Sequence, residues 1–582
     1  MSDDHDAIQP RPGRIGKDRK APRRARRFVS LVTAAVQKAG GRHGRAGAGQ
    51  ARASSTFGRG RGASLRSLSG RGRRVVIKAR TVRHFGARFR AASLARHIRY
   101  LQREGVTRDG SPGSMFDARS EQADVEGFAT RCQDDRHHFR FIVSPEDAAE
   151  LTDLRAFTRE LMDQAERDLG TRLDWVAIDH WNTDNPHLHL LVRGRADDGS
   201  DLVISRDYIG RGLRARAQAQ ISLELGPRSD REIDAALWRD AAAERWTRLD
   251  RALRDRADDA AGLIDLRPGD PSLSPGLRNV LIARLDKLAG LGLAQQQAVG
   301  RWTMAPNAES TLHDLSTRSD IIKTLHRAMS QGGDTPDVGR FAIHQDIATD
   351  PILGKLVERG LHDELTGGAY AVIDGVDGRQ HHLRFGDLAD TSDAAAGSIV
   401  ALRQWTDDRG GAHQALAVRS DLTLEAQITA SGATWLDRQL VSKTPIDAAD
   451  GFGAAVTAAM AARRDHLVAQ GHAQRRGERT LLNPELLKTL RREELAQSAQ
   501  ALAVQTGLAH APISEGGEVL GVYRRRLDLA SGRFAMIDDG LGFALVPWRP
   551  ALEAHRGGLV RGVARGDGGV DWSLARQRGL GL

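Results

Sequence analysis

Residues 173–194 read LDWVAIDHWNTDNPHLHLLVRG, and their pattern decides the architecture. Two runs of strand composition, LDWVAIDH (173–180) and HLHLLVRG (187–194), flank six turn-prone residues, WNTDNP. So short a connection predicts an antiparallel hairpin. Side chains alternate along a strand, so His187 and His189 project to one face, and His180, just across the turn, can reach the same point. Three imidazoles converging from a rigid hairpin make a candidate metal site with coordination positions left for substrate. Asp184 and Asn185, in the turn, are placed to orient a ligand. A His-x-His pair alone is a weak signal, because strand histidines often serve only as hydrogen-bonding groups. The third histidine strengthens it. A histidine-triad nucleotide hydrolase wants a further histidine at 191, where this chain has Leu191.

Working outward, HHFRFIVS (137–144) has strand composition, and SPED follows it. Ser144 can cap a helix, Pro145 suits its first position and Asp147 completes a capping box. That helix is expected to bury Leu151, Leu154, Phe157, Leu161 and Ala165 and to stop at Gly170. Upstream, RVVIKARTV (74–82) reads as a strand. RFRAASLARHIRYLQREG (88–105) reads as a helix, with Leu94, Ile98 and Leu101 at helical spacing. Downstream, 200–265 is mostly helical, 275–335 is mixed and rich in leucine, and 368–405 alternates as short strands. Helices return over 450–508 and strands at the C-terminus. No internal repeat is legible. The fold class is α+β: an N-terminal antiparallel sheet with helices behind it, then helical and small β modules. The expected segments are 1–74, 75–265 and 266–582.

The net charge of +11 is unevenly spread: residues 1–78 hold 20 Lys/Arg against 4 Asp/Glu, which leaves 66 against 71 elsewhere. The leading arm, 1–74, is expected to be disordered and to bind polyanions, the bland alternative being a solubilising tail. No apolar run approaches the ~18 residues of a membrane span, and no apolar signal region follows the N-terminus. A cytoplasmic protein without membrane insertion is expected. The single cysteine, Cys132, excludes a disulfide framework and a cysteine-rich metal site.

The chain has four tyrosines, Tyr100, Tyr208, Tyr370 and Tyr523. Two sit among cations: Tyr100 near Arg96, His97, Arg99 and Arg103, and Tyr208 in SRDYIGRGLRARA. A phenol titrates near 10, so as a nucleophile it needs its proton removed or its anion stabilised. Residue spacing alone does not choose between them.

At this point the sequence resembles a known family. DHWNTDNPHLHLLVRG (179–194) is similar to the third motif of conjugative relaxases, members of the HUH (His-hydrophobe-His) endonuclease superfamily. KARTVRH (78–84), LARHIRYLQREGVTRDG (94–110), DRHHFRFIVSPEDAAEL (135–151), DLVISRDYIGRGLRARA (201–217) and LELGPR (223–228) extend the resemblance over 75–265. GRFAMIDDG (532–540) and LVPWRP (545–550) resemble the C-terminal domain of unknown function appended in one branch of these proteins.

The resemblance implies a five-stranded antiparallel sheet with the histidines on central strands. It implies that His180, His187 and His189 are metal ligands for Mg²⁺ or Mn²⁺, that Tyr100 is the nucleophile and that Ser144 lies near the DNA. Tyr100 and Asp184 are the expected catalytic residues, while Asp135, His137, His138 and Asp179 remain open as proton acceptors or orienting groups. The implied activity is site- and strand-specific nicking of a transfer origin, single-stranded or melted, giving a 5′-phosphotyrosine adduct. Implied partners are a coupling ATPase, a type IV secretion channel and relaxosome accessory proteins. The competing readings are a non-catalytic DNA-binding accessory protein and a rolling-circle replication initiator.

Overall fold

The computed structural model describes residues 70–84, 94–95, 97–103, 106–108, 110–181, 186–331, 337–408, 410–448, 450–477, 479–553, 555–566 and 569–573. The expected disordered arm therefore lies outside the described residues, except at its end. There Arg73 is buried and bonded to Glu232 and Asp147, and Arg71 is paired with Asp230. The architecture is α+β, in two compact units that divide at Thr317/Arg318. Among the described residues no helix is long and apolar enough to cross a membrane.

In the first unit β1 (Val75–Arg83), β2 (His137–Pro145), β3 (Trp175–His180) and β4 (His187–Arg193) form one antiparallel sheet in the order β1-β2-β4-β3. Four strands replace the expected five among the described residues. Beside β3 there is only a one-residue bridge, Phe116 to Ala177. Pro112, which has no N–H, and the turn residues around it keep that segment from extending into a ladder.

Helical residues 94–95 and 97–101 make up α1, α2 is Val125–Arg131, α3 is Leu154–Leu169 and α4 is Leu213–Leu225. The start of α3 differs from expectation. Ser144 and Pro145 still pair with β1, and Asp147 is drawn to Arg73, so the helix begins at Asp153, whose carboxylate accepts from the Arg155 and Ala156 amides. It ends, as expected, at Gly170, which adopts a φ of +68° that favours glycine.

The period-2 alternation sorts the sheet into two faces. Ile77, Phe139, Phe141, Val143, Trp175, Leu188, Leu190 and Val192 pack against Leu154, Phe157 and Leu161 of α3 and Ala217 and Ile221 of α4. Each such aliphatic or aromatic side chain contributes about 1.5–3 kcal/mol on burial. On the other face Val176, Ile178 and Leu191 receive Leu94, Ile98 and Leu101 of α1 and Phe128 of α2.

Beyond residue 228 the chain is built from two copies of one plan, a repeat the sequence did not disclose. The first copy runs α5 (Asp230–Ala242), α6 (Arg248–Asp259), β5 (Leu263–Asp265), α7 (Pro275–Gly290), the hairpin β6–β7 (Ala294–Ala298, Arg301–Met304) and α8 (Ala308–Gln331). A sheet follows of β8 (Phe341–Ile343), β9 (Leu353–Asp363), β10 (Gly368–Gly375), β11 (Gln380–Phe385), β12 (Ile399–Thr406) and β13 (Ala412–Ser420). The second runs α9 (Leu424–Thr429), α10 (Trp435–Leu440), α11 (Gly451–Ala469), the hairpin β14–β15 (Ala473–Arg476, Arg479–Leu482) and α12 (Leu486–Thr506). Its sheet comprises β16 (Ala509–His510), β17 (Glu518–Leu529), β18 (Gly532–Asp538), β19 (Gly542–Pro547), β20 (Leu559–Ala564) and β21 (Val570–Trp572). The strand orders, β13-β12-β9-β10-β11-β8 and β21-β20-β17-β18-β19-β16, are the same topology. In each, the outermost strand (β8, β16) pairs parallel to its neighbour and the rest are antiparallel.

The copies share a buried lock. In the first, Arg284 donates to both oxygens of Asp250, at 2.7 and 2.8 Å, and to the carbonyls of Ala241, Ala243 and Arg245. In the second, Arg463 donates to both oxygens of Asp437, each at 2.8 Å, and to the carbonyls of Ile428, Ala430 and Gly432. The three carbonyls precede the aspartate at identical spacing in both copies. All four charged side chains are fully buried. Thr247 and Thr434 cap their helices on these same aspartates. Breaking such a pair by removing one partner costs about 3–5 kcal/mol.

Candidate metal centre

The hairpin forms with His180 directly opposite His187. His189 lies between Ile178 on one side and Ile142 on the other, so all three histidines occupy one face. One ring nitrogen from each lies within 4.8 Å of the others. The Nε2 atoms of His187 and His189 are 3.1 Å apart. Two ligands 2.0–2.1 Å from one ion stand about 3.0–3.4 Å apart at right-angle to tetrahedral geometry. His180 and His189 are buried and His187 is half-buried. The donor set and its spacing fit a divalent metal ion.

The ring of His180 is held by a hydrogen bond from Nε2 to the carbonyl of Leu101, at 2.8 Å. A carbonyl can only accept, so the proton resides on Nε2 and the lone pair on Nδ1, the usual way a ligand histidine is oriented by its surroundings. Leu101 closes the helical segment that carries Tyr100. The structure thus brings α1 onto the histidine group, one residue from the expected nucleophile. Tyr100 is partly buried beside the α1 contacts, with the Arg103 guanidinium 4.2 Å from its ring centroid. Asp184 lies outside the described residues.

Tyr208 is elsewhere. It packs against the core on the opposite face of the sheet and donates to Asp168, which also holds Arg216. Burial and the Asp168 carboxylate push its phenol above the ordinary range, so it is a poor nucleophile where it stands.

The open candidates for proton acceptor are not at the site. Asp179 points to the other face, its oxygens taken by Arg155 and the Trp181 indole. Asp135, His137 and His138 cluster near Arg193, six residues along β4 from His187 and so about 20 Å away. There Asp135 is bonded to Arg193, and His137 to the Leu202 carbonyl. His84 donates through Nδ1 to the Asp135 carbonyl, His138 donates to His84, and Arg140 donates to His138. Burial, with the Arg140 charge beside it, holds His138 well below the usual imidazole range. This chain of hydrogen-bonded rings is structural.

Three cations near the site carry no assignment from sequence. Lys78 shares a row with Ile142 and His189 on the histidine face, and Arg80 occupies the next row beside Arg140; both are exposed. Arg108 stacks over Trp181, the residue after His180, at 3.6 Å. Their alternation in KARTV was legible, but which face they occupy follows only from the β1–β2 register. Ser144, one step past the Val143–Leu188 pair, falls on this face beside His187.

The fold and site thus define an α+β protein with a three-histidine candidate metal centre on an antiparallel sheet. A family described as a protein of unknown function (DUF3363) matches residues 281–417 and 403–581, more than half of the chain, and the protein belongs to this family. The first matched segment lies within the first copy of the repeated plan, and the second runs from that copy's last strands through the second copy. No curated protein and no solved structure matches.

Proposed function

We propose that this protein is a conjugative relaxase: a metal-dependent nuclease that cuts one DNA strand at a transfer origin and remains joined to the 5′ end. The observation that carries the reading is the His180–Leu101 hydrogen bond, which fastens the Tyr100 helix to the three-histidine group. In this reading His180, His187 and His189 hold Mg²⁺ or Mn²⁺, which when bound supplies Lewis-acid polarisation of the scissile phosphate. The Tyr100 oxygen attacks phosphorus, the bond from phosphorus to the 3′ oxygen breaks, and the phenolic proton passes to a base while the released 3′ oxygen is protonated. Asp184, in the turn between the histidines, is the carboxylate assigned to this proton transfer. One phosphodiester replaces another, so the step is nearly neutral in energy and reversible, as rejoining requires. Lys78, Arg80 and Arg108 provide charge along the histidine face for the backbone of a single strand. The basic arm adds salt-dependent affinity, and the coupling ATPase, type IV secretion channel and accessory proteins belong to the same reading.

The test incubates the full chain with labelled single-stranded oligonucleotides from its own replicon and Mg²⁺ or Mn²⁺. A protease-sensitive adduct that survives SDS is expected, absent with EDTA and absent in Tyr100→Phe. Binding without an adduct in either metal contradicts the proposal and leaves an accessory DNA-binding role.

A further inference from the structure

The two helical modules share their lock, their helix order and their hairpin, yet the hairpins differ in charge. In the first, β6 reads AQQQA and Ala298 stands opposite Arg301 at the turn. Arg301 is there partnered by Asp265, on the adjacent strand β5. In the second, β14 reads AQRR, and Arg476 stands opposite Arg479. Among the described residues this copy has no strand corresponding to β5. Both arginines are exposed, and among the described residues neither has an ion-pair partner. Arg475 projects from the other face of the ribbon and is paired with Asp465.

Like charges directly opposite each other on a two-stranded ribbon are unfavourable, so an anion that bridges Arg476 and Arg479 relieves their repulsion. The base of the hairpin is rigid: Ala473 and Leu482 pack with Leu467 of α11 and Leu486 and Leu490 of α12. A braced, two-stranded tip bearing cations matches the major groove of B-DNA, which is about 12 Å wide and admits a β-ribbon. We propose that the β14–β15 hairpin docks on duplex DNA, with Arg476 and Arg479 on backbone phosphates. The choice of DNA rests on the relaxase reading, but the hairpin shares no residue with the histidine site. It provides a grip on the paired DNA that flanks a nicked single strand.

The test uses the full chain, a 20-base-pair duplex of arbitrary sequence, and the single strand of the same length, titrated with salt by fluorescence anisotropy. The double variant Arg476→Ala, Arg479→Gln gives the second hairpin the first one's alanine and removes the two exposed charges. It is expected to weaken duplex binding on the order of tenfold and to flatten the slope of log Kd against log salt by about two, roughly one per lost phosphate contact. Glu478→Gln, which removes the hairpin's one acidic side chain, is expected to tighten duplex binding. Arg239→Gln, the loss of one such charge on an exposed face of the first module, is expected to change neither. Duplex binding by the double variant with unchanged Kd and slope overturns the proposal, as does an equal loss on the single strand. The adduct assay separates the two readings: failure of the unaltered chain to form an adduct counts against Tyr100 and leaves the hairpin result standing.

Discussion

The two faces of the N-terminal sheet are made by the same four strands, and they have opposite characters. One is closed by α3 and α4 over a continuous apolar layer, and its tyrosine, Tyr208, is tied to Asp168. The other carries three histidines and exposed cations, with α1 packed on Val176, Ile178 and Leu191 and bonded to His180 through the Leu101 carbonyl. Alternation alone produces the difference: successive residues of one strand give one side chain to the closed core and the next to the face that carries the histidine group. Substitutions on the two faces should therefore separate folding from activity.

The largest effect is expected at the histidines. His189→Ala should lower adduct formation by on the order of 10³-fold, as loss of a polarising group at a phosphate does, while leaving the urea midpoint nearly unchanged. It should also abolish the rise in melting temperature that Mn²⁺ gives the unaltered chain. A variant that unfolds instead would mean that the histidine face also supports the fold. On the closed face the pattern inverts. Phe157→Ala removes a fully packed ring and should cost about 3–5 kcal/mol of stability by denaturant titration, with adduct formation preserved at low temperature.

Smaller effects sharpen the contrast. Lys78→Gln with Arg80→Gln should weaken single-strand binding and flatten its salt slope by about 1.4 without moving the melting temperature. The smallest belongs to the rival tyrosine. Tyr208→Phe loses one partly exposed hydrogen bond, worth about 1 kcal/mol, and adduct formation should continue at the original rate.

Much of this was legible in the sequence. The hairpin at 173–194, the β1 strand, the spacing of Leu94, Ile98 and Leu101, and the stop at Gly170 all follow from local periodicity and turn chemistry. The convergence of His180, His187 and His189 follows from the same alternation. What escaped reading depends on long-range partners. Ser144–Pro145 looked like a helix start because its cross-strand pairing to Val75 and Val76 is invisible locally. Asp135 and His138 stayed open as proton acceptors or ordinary strand residues because distance along β4 cannot be judged before the register is known. The duplicated plan was hidden because its signature is not a run of identical residues. It is an arginine, an aspartate and three carbonyls brought together across 43 residues in one copy and 35 in the other.

The central claim is that Tyr100, and no other tyrosine, becomes joined to DNA. Protease digestion of the covalent adduct followed by mass spectrometry tests it most directly. A phosphonucleotide on the peptide containing Tyr100 is the predicted result. The same mass on the peptide containing Tyr208, or an adduct that survives Tyr100→Phe, would contradict it.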